Sequence, residues 1–255
     1  MSSFAESMTG MAALSDDQMA RPWHWRAGGE EELGIRDAYH RSLEDENVQA
    51  TSVMSVGLGE VAVALSLAQR AAGDLCGLLA GQSDELLDQE PARGEWPLRE
   101  VMRHTINTEG GFRARSLWAV DRGPDDSPDV PADRVPADVD VSGDTTSIIA
   151  TLLAARADTD EEFARLTADD LAKPARWAGY PVDVRFRMHR HASHLAEHTN
   201  QCEKALHALG EDPGEARQLV RAIWAARGGH ERLSDPAALR VLDDELAARV
   251  QSLGV

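Results

Sequence analysis

Four side chains in one short stretch stand out: His191, His194, His198 and Cys202, within the run His191-Ala192-Ser193-His194-Leu195-Ala196-Glu197-His198-Thr199-Asn200-Gln201-Cys202. On a helix, residues four apart lie one above the other with Cβ atoms roughly 5–6 Å apart. Imidazoles at that spacing can share one divalent ion without straining the backbone. His194 and His198 are therefore the first candidate ligands, although such a pair also arises on helices by chance. Pairing His191 with either of them is a competing arrangement. A catalytic site needs a third protein ligand and an open position. His104, inside an apolar-periodic stretch some 90 positions earlier, is the best third donor. His191 reads as a residue at the edge of the site and Cys202 as a small buried thiol. Glu109, poorly phased with His104, reads as a rim or solvent residue. Trp96 reads as a packing anchor. His24, His40, His207 and His230 read as ordinary solvated or core histidines.

These residues need helices to hold them. Ala, Leu, Arg and Glu dominate and aromatics make up only 5% of the chain, a balance that favours helix over sheet. Residues 1 to about 29 lack a period and read as irregular. The Trp23-His24-Trp25 cluster within them reads as an aromatic plug on the surface. The charged stretch Glu30 to Gln49, with Leu33, Ala38, Leu43 and Val48 as sparse apolar points, predicts a surface helix. Val61, Leu65, Ala68, Ala72, Leu75 and Leu79 mark one face of an amphipathic helix that Gly81 stops. Pro97 suits the first turn of a second helix carrying Leu98, Val101, Ile106, Phe112, Leu117 and Val120. Residues 123–143, rich in Pro and Asp, form a long loop of the kind that often serves function. Asp144 to Thr146 cap a third helix with Ile148, Ile149, Leu152, Leu153, Phe163 and Leu166 inward. A linker from Lys173 to Pro181 leads to a fourth, from about Asp183 to Leu209. Two further helices carry Leu219 to Trp224 and Leu239 to Val250. Neither a strand ladder nor an internal repeat is visible.

The formal charge of −18 and the absence of a basic stripe argue against a nucleic-acid partner. Two distant cysteines, Cys76 and Cys202, do not make a disulfide scaffold. With no signal peptide and no apolar run of spanning length, the expectation is a cytoplasmic protein without a membrane partner.

Glu95-Trp96-Pro97-Leu98-Arg99-Glu100-Val101-Met102-Arg103-His104 and His194-x-x-x-His198-x-x-Gln201 together resemble the DinB/YfiT-like superfamily of metalloenzymes. The superfamily shares a Trp-x-x-x-Glu-Val-x-x-His start to its second helix and a His-x-x-x-His-x-x-Gln pattern in its fourth. The resemblance covers roughly residues 57 to 209. It implies an all-α protein, a four-helix bundle with a long crossover, whose metal ligands are His104, His194 and His198. Residues 1–56 and 210–255 would then be N- and C-terminal helical extensions, the first partly irregular. The ion would be divalent, zinc first by availability and nickel second, since imidazole suits both. Homodimers are common in the superfamily, and mycothiol-dependent maleylpyruvate isomerases and bacillithiol transferases are among its members. The resemblance thus implies a small-molecule substrate and a low-molecular-weight thiol, with thiol transfer or isomerisation as the activity. Two alternatives stay open: a hydrolase in which the metal acidifies water, and a non-catalytic helical binding module with a closed site, for example with Cys202 as fourth ligand.

Overall fold

The computed structural model describes residues 3–24 and 33–254 of the chain. Four long helices form the bundle: α4 (Glu60–Leu79), α5 (Leu98–Asp121), α6 (Thr145–Phe163) and α8 (Val184–Ala208). Helix α4 packs against α8 and α6, and α5 packs against the same two. Consecutive α4 and α5 therefore sit diagonally, and the 80–97 connection must cross an end of the bundle. The four-residue α7 (Ala168–Leu171) lies in the α6–α8 connection.

The third and fourth bundle helices start where their residues predict. Asp144 accepts from the Ser147 N–H and Asp183 from the Phe186 N–H, at 2.7 Å each. These side chains satisfy amides that a helix start leaves without partners. The apolar stripes also fall as expected, with Leu65, Ala68, Ala72, Leu75 and Leu79 buried on α4 and Ile148, Ile149, Leu152 and Phe163 on α6. One expectation needs correction. Helix α4 is long and apolar enough to cross a bilayer, although 56% of its apolar window is buried inside the protein, as in a core helix.

Outside the bundle, α9 (Glu215–His230) lies along α4, and α3 (Ile35–Met54) lies on α9. The α4–α9 crossing is close because three glycines line it. A Cβ on Gly73 would run into the Trp224 carbonyl, one on Gly228 into that of Gln69, and one on Gly77 would lie 2.6 Å from the Arg221 Cα. Helix α10 (Pro236–Ser252) packs on α3 and on α1 (Ser3–Ala12), with the short α2 (Asp16–Met19) beside α9.

Three local expectations differ from the structure. The first segment is not irregular: Phe4, Met8 and Met11 of α1 recur at helical steps and are buried. Interspersed Ser, Thr and Gly dilute that pattern. Strands do occur, as two short antiparallel ribbons. One pairs β1 (Pro22–Trp23) with β2 (Leu33–Gly34). The other turns the expected 173–181 linker into a hairpin of β3 (Pro174–Trp177) and β4 (Tyr180–Asp183). Its two-residue turn holds Ala178 at φ 47° and Gly179 at φ 83°, the left-handed conformation that suits the twist of paired strands. Strands this short show no readable alternation. Lastly, Val48 is 71% exposed on α3, whose inward face is Ile35, Ala38, Tyr39, Ser42 and Glu46. In the tryptophan cluster, Trp23 is buried with Nε1 donating to Ser252 Oγ at 2.8 Å, and His24 is exposed. Trp25 lies outside the described residues.

Candidate metal centre

Helices α5 and α8 run side by side and bring His104 against His194 and His198. The ligand nitrogens of all three lie within 4.8 Å of one another. Ring centroids stand 4.3 Å apart for His194–His198, 4.9 Å for His104–His198 and 5.4 Å for His104–His194. His194 and His198 are buried and His104 is partly exposed, so the cluster opens on the His104 side.

Hydrogen bonding prepares these rings as donors. Gln201 Oε1 lies 2.8 Å from His198 Nδ1. A carboxamide oxygen only accepts, so Nδ1 carries a proton toward Gln201 and Nε2 is the nitrogen turned toward the cluster. Nε2 of His198 faces Nε2 of His194 at 2.9 Å. Burial, then the neighbouring His198 and Arg190, push His194 down to about 3. Burial and His198 also lower His104. His104 and His194 are therefore neutral near pH 7 with lone pairs available, as metal binding requires. A donor set of three convergent imidazoles, one oriented by Gln201, fits a divalent ion such as zinc.

Cys202 does not join this group. It is fully buried in the apolar core, and burial raises its thiol to about 12. This is the small buried thiol that the sequence predicts. His191 does not join either, so the pairings that use it have no geometric support. Trp96 is not a core anchor. It is 47% exposed, with its indole 5.3 Å from the His104 ring. It forms a wall of a cleft of about 530 Å³ together with Glu95, His104, His198, Gln201 and Lys204. That wall comes from the 80–97 crossover. Among the described residues, neither the 123–143 loop nor the segments 1–56 and 210–255 line this cleft.

Beneath the three histidines lies a buried polar layer. Glu109 is 2% exposed, which corrects its reading as a rim residue: its offset from His104 turns it into the bundle. Its carboxylate accepts from Arg156 Nη1 and lies 2.8 Å from His191 Nδ1. Burial alone would raise Glu109, but His191 and Arg156 outweigh it and hold the carboxyl far below its ordinary range. Arg156, fully buried, also donates to Gln69 Oε1 at 3.0 Å and to Asp160. Gln69 of α4, Glu109 of α5, Arg156 and Asp160 of α6 and His191 of α8 thus join all four bundle helices in one layer. Fixing the helices' relative heights in this way sets the level at which His104 meets α8. The sequence signal was Arg156 followed by Asp160 four residues on, both on the apolar stripe of α6.

The model of the DinB superfamily matches residues 67–202 of the chain. The protein belongs to the DinB superfamily. Among solved structures, it is similar to YfiT from Bacillus subtilis, described as "a probable metal-dependent hydrolase with an unusual four-helix bundle topology". That similarity has 13% identity and a TM-score of 0.39, covering 74% of this chain and 94% of the other. No curated protein matches the chain.

Proposed function

We propose that this protein is a metal-dependent enzyme that activates a low-molecular-weight thiol, of the mycothiol type, for attack on a small electrophile. The ion would be divalent, zinc first, held by His104, His194 and His198. When bound, such an ion acts as a Lewis acid and lowers the pKa of a thiol or a water in its open position. The residues around it suit the thiol. Gln201 holds the His198 lone pair forward, and Trp96 gives an apolar wall against which an electrophile can rest.

The observation that carries the choice is the state of the buried carboxylate of Glu109. Glu109 is held ionised by His191 and Arg156, so it has no proton to give a leaving group. A thiol or a water bound at a cationic site can lose its proton to solvent without a base, so the difference between the readings lies at the leaving group. Hydrolysis also asks for a proton donor to the leaving group. One residue favours that second reading: Glu95, which lines the same cleft as His104.

The test is to load the purified protein with zinc or nickel and measure bound metal by elemental mass spectrometry. Turnover is then followed with mycothiol plus a general electrophile, and separately with esters and amides without thiol. Metal-dependent conjugation, lost in His194→Ala and undiminished in Glu95→Gln, supports the thiol reading. Thiol-independent hydrolysis that falls in Glu95→Gln supports the hydrolase instead. Metal binding without either activity would leave a metal-stabilised binding module.

A further inference from the structure

A second cavity, of about 430 Å³, lies at the opposite end of the α5–α8 seam from Gln201. It shares no lining residue with the cleft over His104. Three arginines from three elements converge on it: Arg115 of α5, Arg176 of β3 and Arg187 of α8. Its apolar walls include Phe112 and Trp177.

Arg187 is the informative one. It is only 3% exposed. Buried cations are normally paired, because desolvating a lone charge costs several kcal/mol (roughly) even after relaxation. Here none of the three arginines has a carboxylate at ion-pair distance among the described residues, although the chain carries 44 Asp and Glu against 26 Lys and Arg. Asp129 lines the same cavity and still makes no ion pair with them. Arg187 is instead held by neutral acceptors. Its Nη1 donates to the Arg176 carbonyl at 2.6 Å, Nε to Ser116 Oγ at 3.2 Å and Nη2 to the Phe112 carbonyl at 3.5 Å. A guanidinium has five N–H groups, so two remain. Burial and then the neighbouring Arg115 push Arg187 down to about 10, which is the signature of a cation lacking an anion. Arg115 likewise donates to a carbonyl, that of Gly111 at 3.0 Å. A fixed, desolvated guanidinium flanked by two exposed ones suits planar or tetrahedral oxyanions, which accept several charged donors at once.

We propose that this cavity is a binding site for the oxyanion group of a small molecule, a carboxylate or a phosphate, with Arg187 as its fixed donor and Arg115 and Arg176 as closing donors. The apolar walls at Phe112 and Trp177 would take the organic part of the ligand. The assignment does not depend on the reading of the metal centre.

The experiment is calorimetric titration of the full-length protein with inorganic phosphate and, in a separate arm, with succinate, at constant ionic strength in chloride. A saturable site for either anion is expected, and the arm that binds identifies the class. Arg115→Ala/Arg176→Ala removes two exposed side chains and should weaken binding by about tenfold or more, the value of a lost charge-assisted hydrogen bond. Arg187→Lys keeps the charge and loses the fork, and should weaken it too. Arg240→Ala, on α10, should change nothing. Binding must persist in protein stripped of metal by a chelator, which separates this cavity from anion capture by a metal. No saturable binding of either anion, or binding unaffected by Arg115→Ala/Arg176→Ala, overturns the proposal.

Discussion

Replacing Gln201 with leucine removes the acceptor that fixes His198 and keeps a side chain of similar size. The Gln201–His198 contact is 2.8 Å long and His198 is only 6% exposed, so water cannot readily take the place of the lost oxygen. Two costs follow. The ring becomes free to turn and to place its proton on Nε2, which removes the ligand lone pair. A donor on Nδ1 is also left without an acceptor. Loss of such a supporting hydrogen bond typically costs about 10–100-fold in metal affinity, equivalent to about 1.4–2.7 kcal/mol. Competition against a chromophoric chelator reads zinc affinity directly, and the thermal midpoint of the metal-free protein controls for folding. Gln201 is only partly buried, so that midpoint should barely move. Gln201→Glu restores the acceptor with added negative charge and should bind zinc at least as well as the parent. Zinc affinity in Gln201→Leu within about twofold of the parent would refute the claim that Gln201 prepares His198 as a ligand.

Three further outcomes are expected. Glu109→Leu removes one of the two carboxylates on the fully buried Arg156 and the acceptor facing His191, and should lower unfolding free energy in urea by about 1–3 kcal/mol. A loss below about 1 kcal/mol would contradict the buried layer described above. At the α4–α9 crossing, Gly73→Ala should destabilise by about 1–3 kcal/mol because backbone meets backbone there, whereas Gly59→Ala, with open space around it, should stay within about 0.5 kcal/mol. Acid should loosen the metal-free protein through His194, whose folded value falls from 6.5 to about 3. The unfolded chain then binds a proton that the folded chain refuses, so stability drops as pH falls from about 6.5 toward 3. Comparison of thermal midpoints at pH 7 and 5 should show a smaller drop in His194→Ala, and equal drops would rule the mechanism out.

Much of this protein was legible before any coordinates. Helix starts at Asp144 and Asp183 follow from local chemistry, since each carboxylate caps the amide three residues ahead. The apolar stripes of α4 to α8 follow from a 3.6-residue period, and His194 and His198 share a face for the same reason. Their local geometry needs no partner. What tertiary structure alone decides is everything that depends on which faces meet. Glu109 looked like a rim residue because its offset from His104 was visible but the position of α6 was not. Only the packing of α6 and α8 against α5 turns it into a partner for Arg156 and His191. Trp96 looked like an anchor because a large aromatic beside a helix start ordinarily packs inward. The diagonal placement of α4 and α5 carries the 80–97 crossover over the histidines and leaves that indole as a wall of the cleft. The same long-range packing gathers Arg115, Arg176 and Arg187, from a helix, a short hairpin and another helix, around one cavity. No spacing along the chain encodes that meeting, because it is set by the relative heights of helices far apart in sequence.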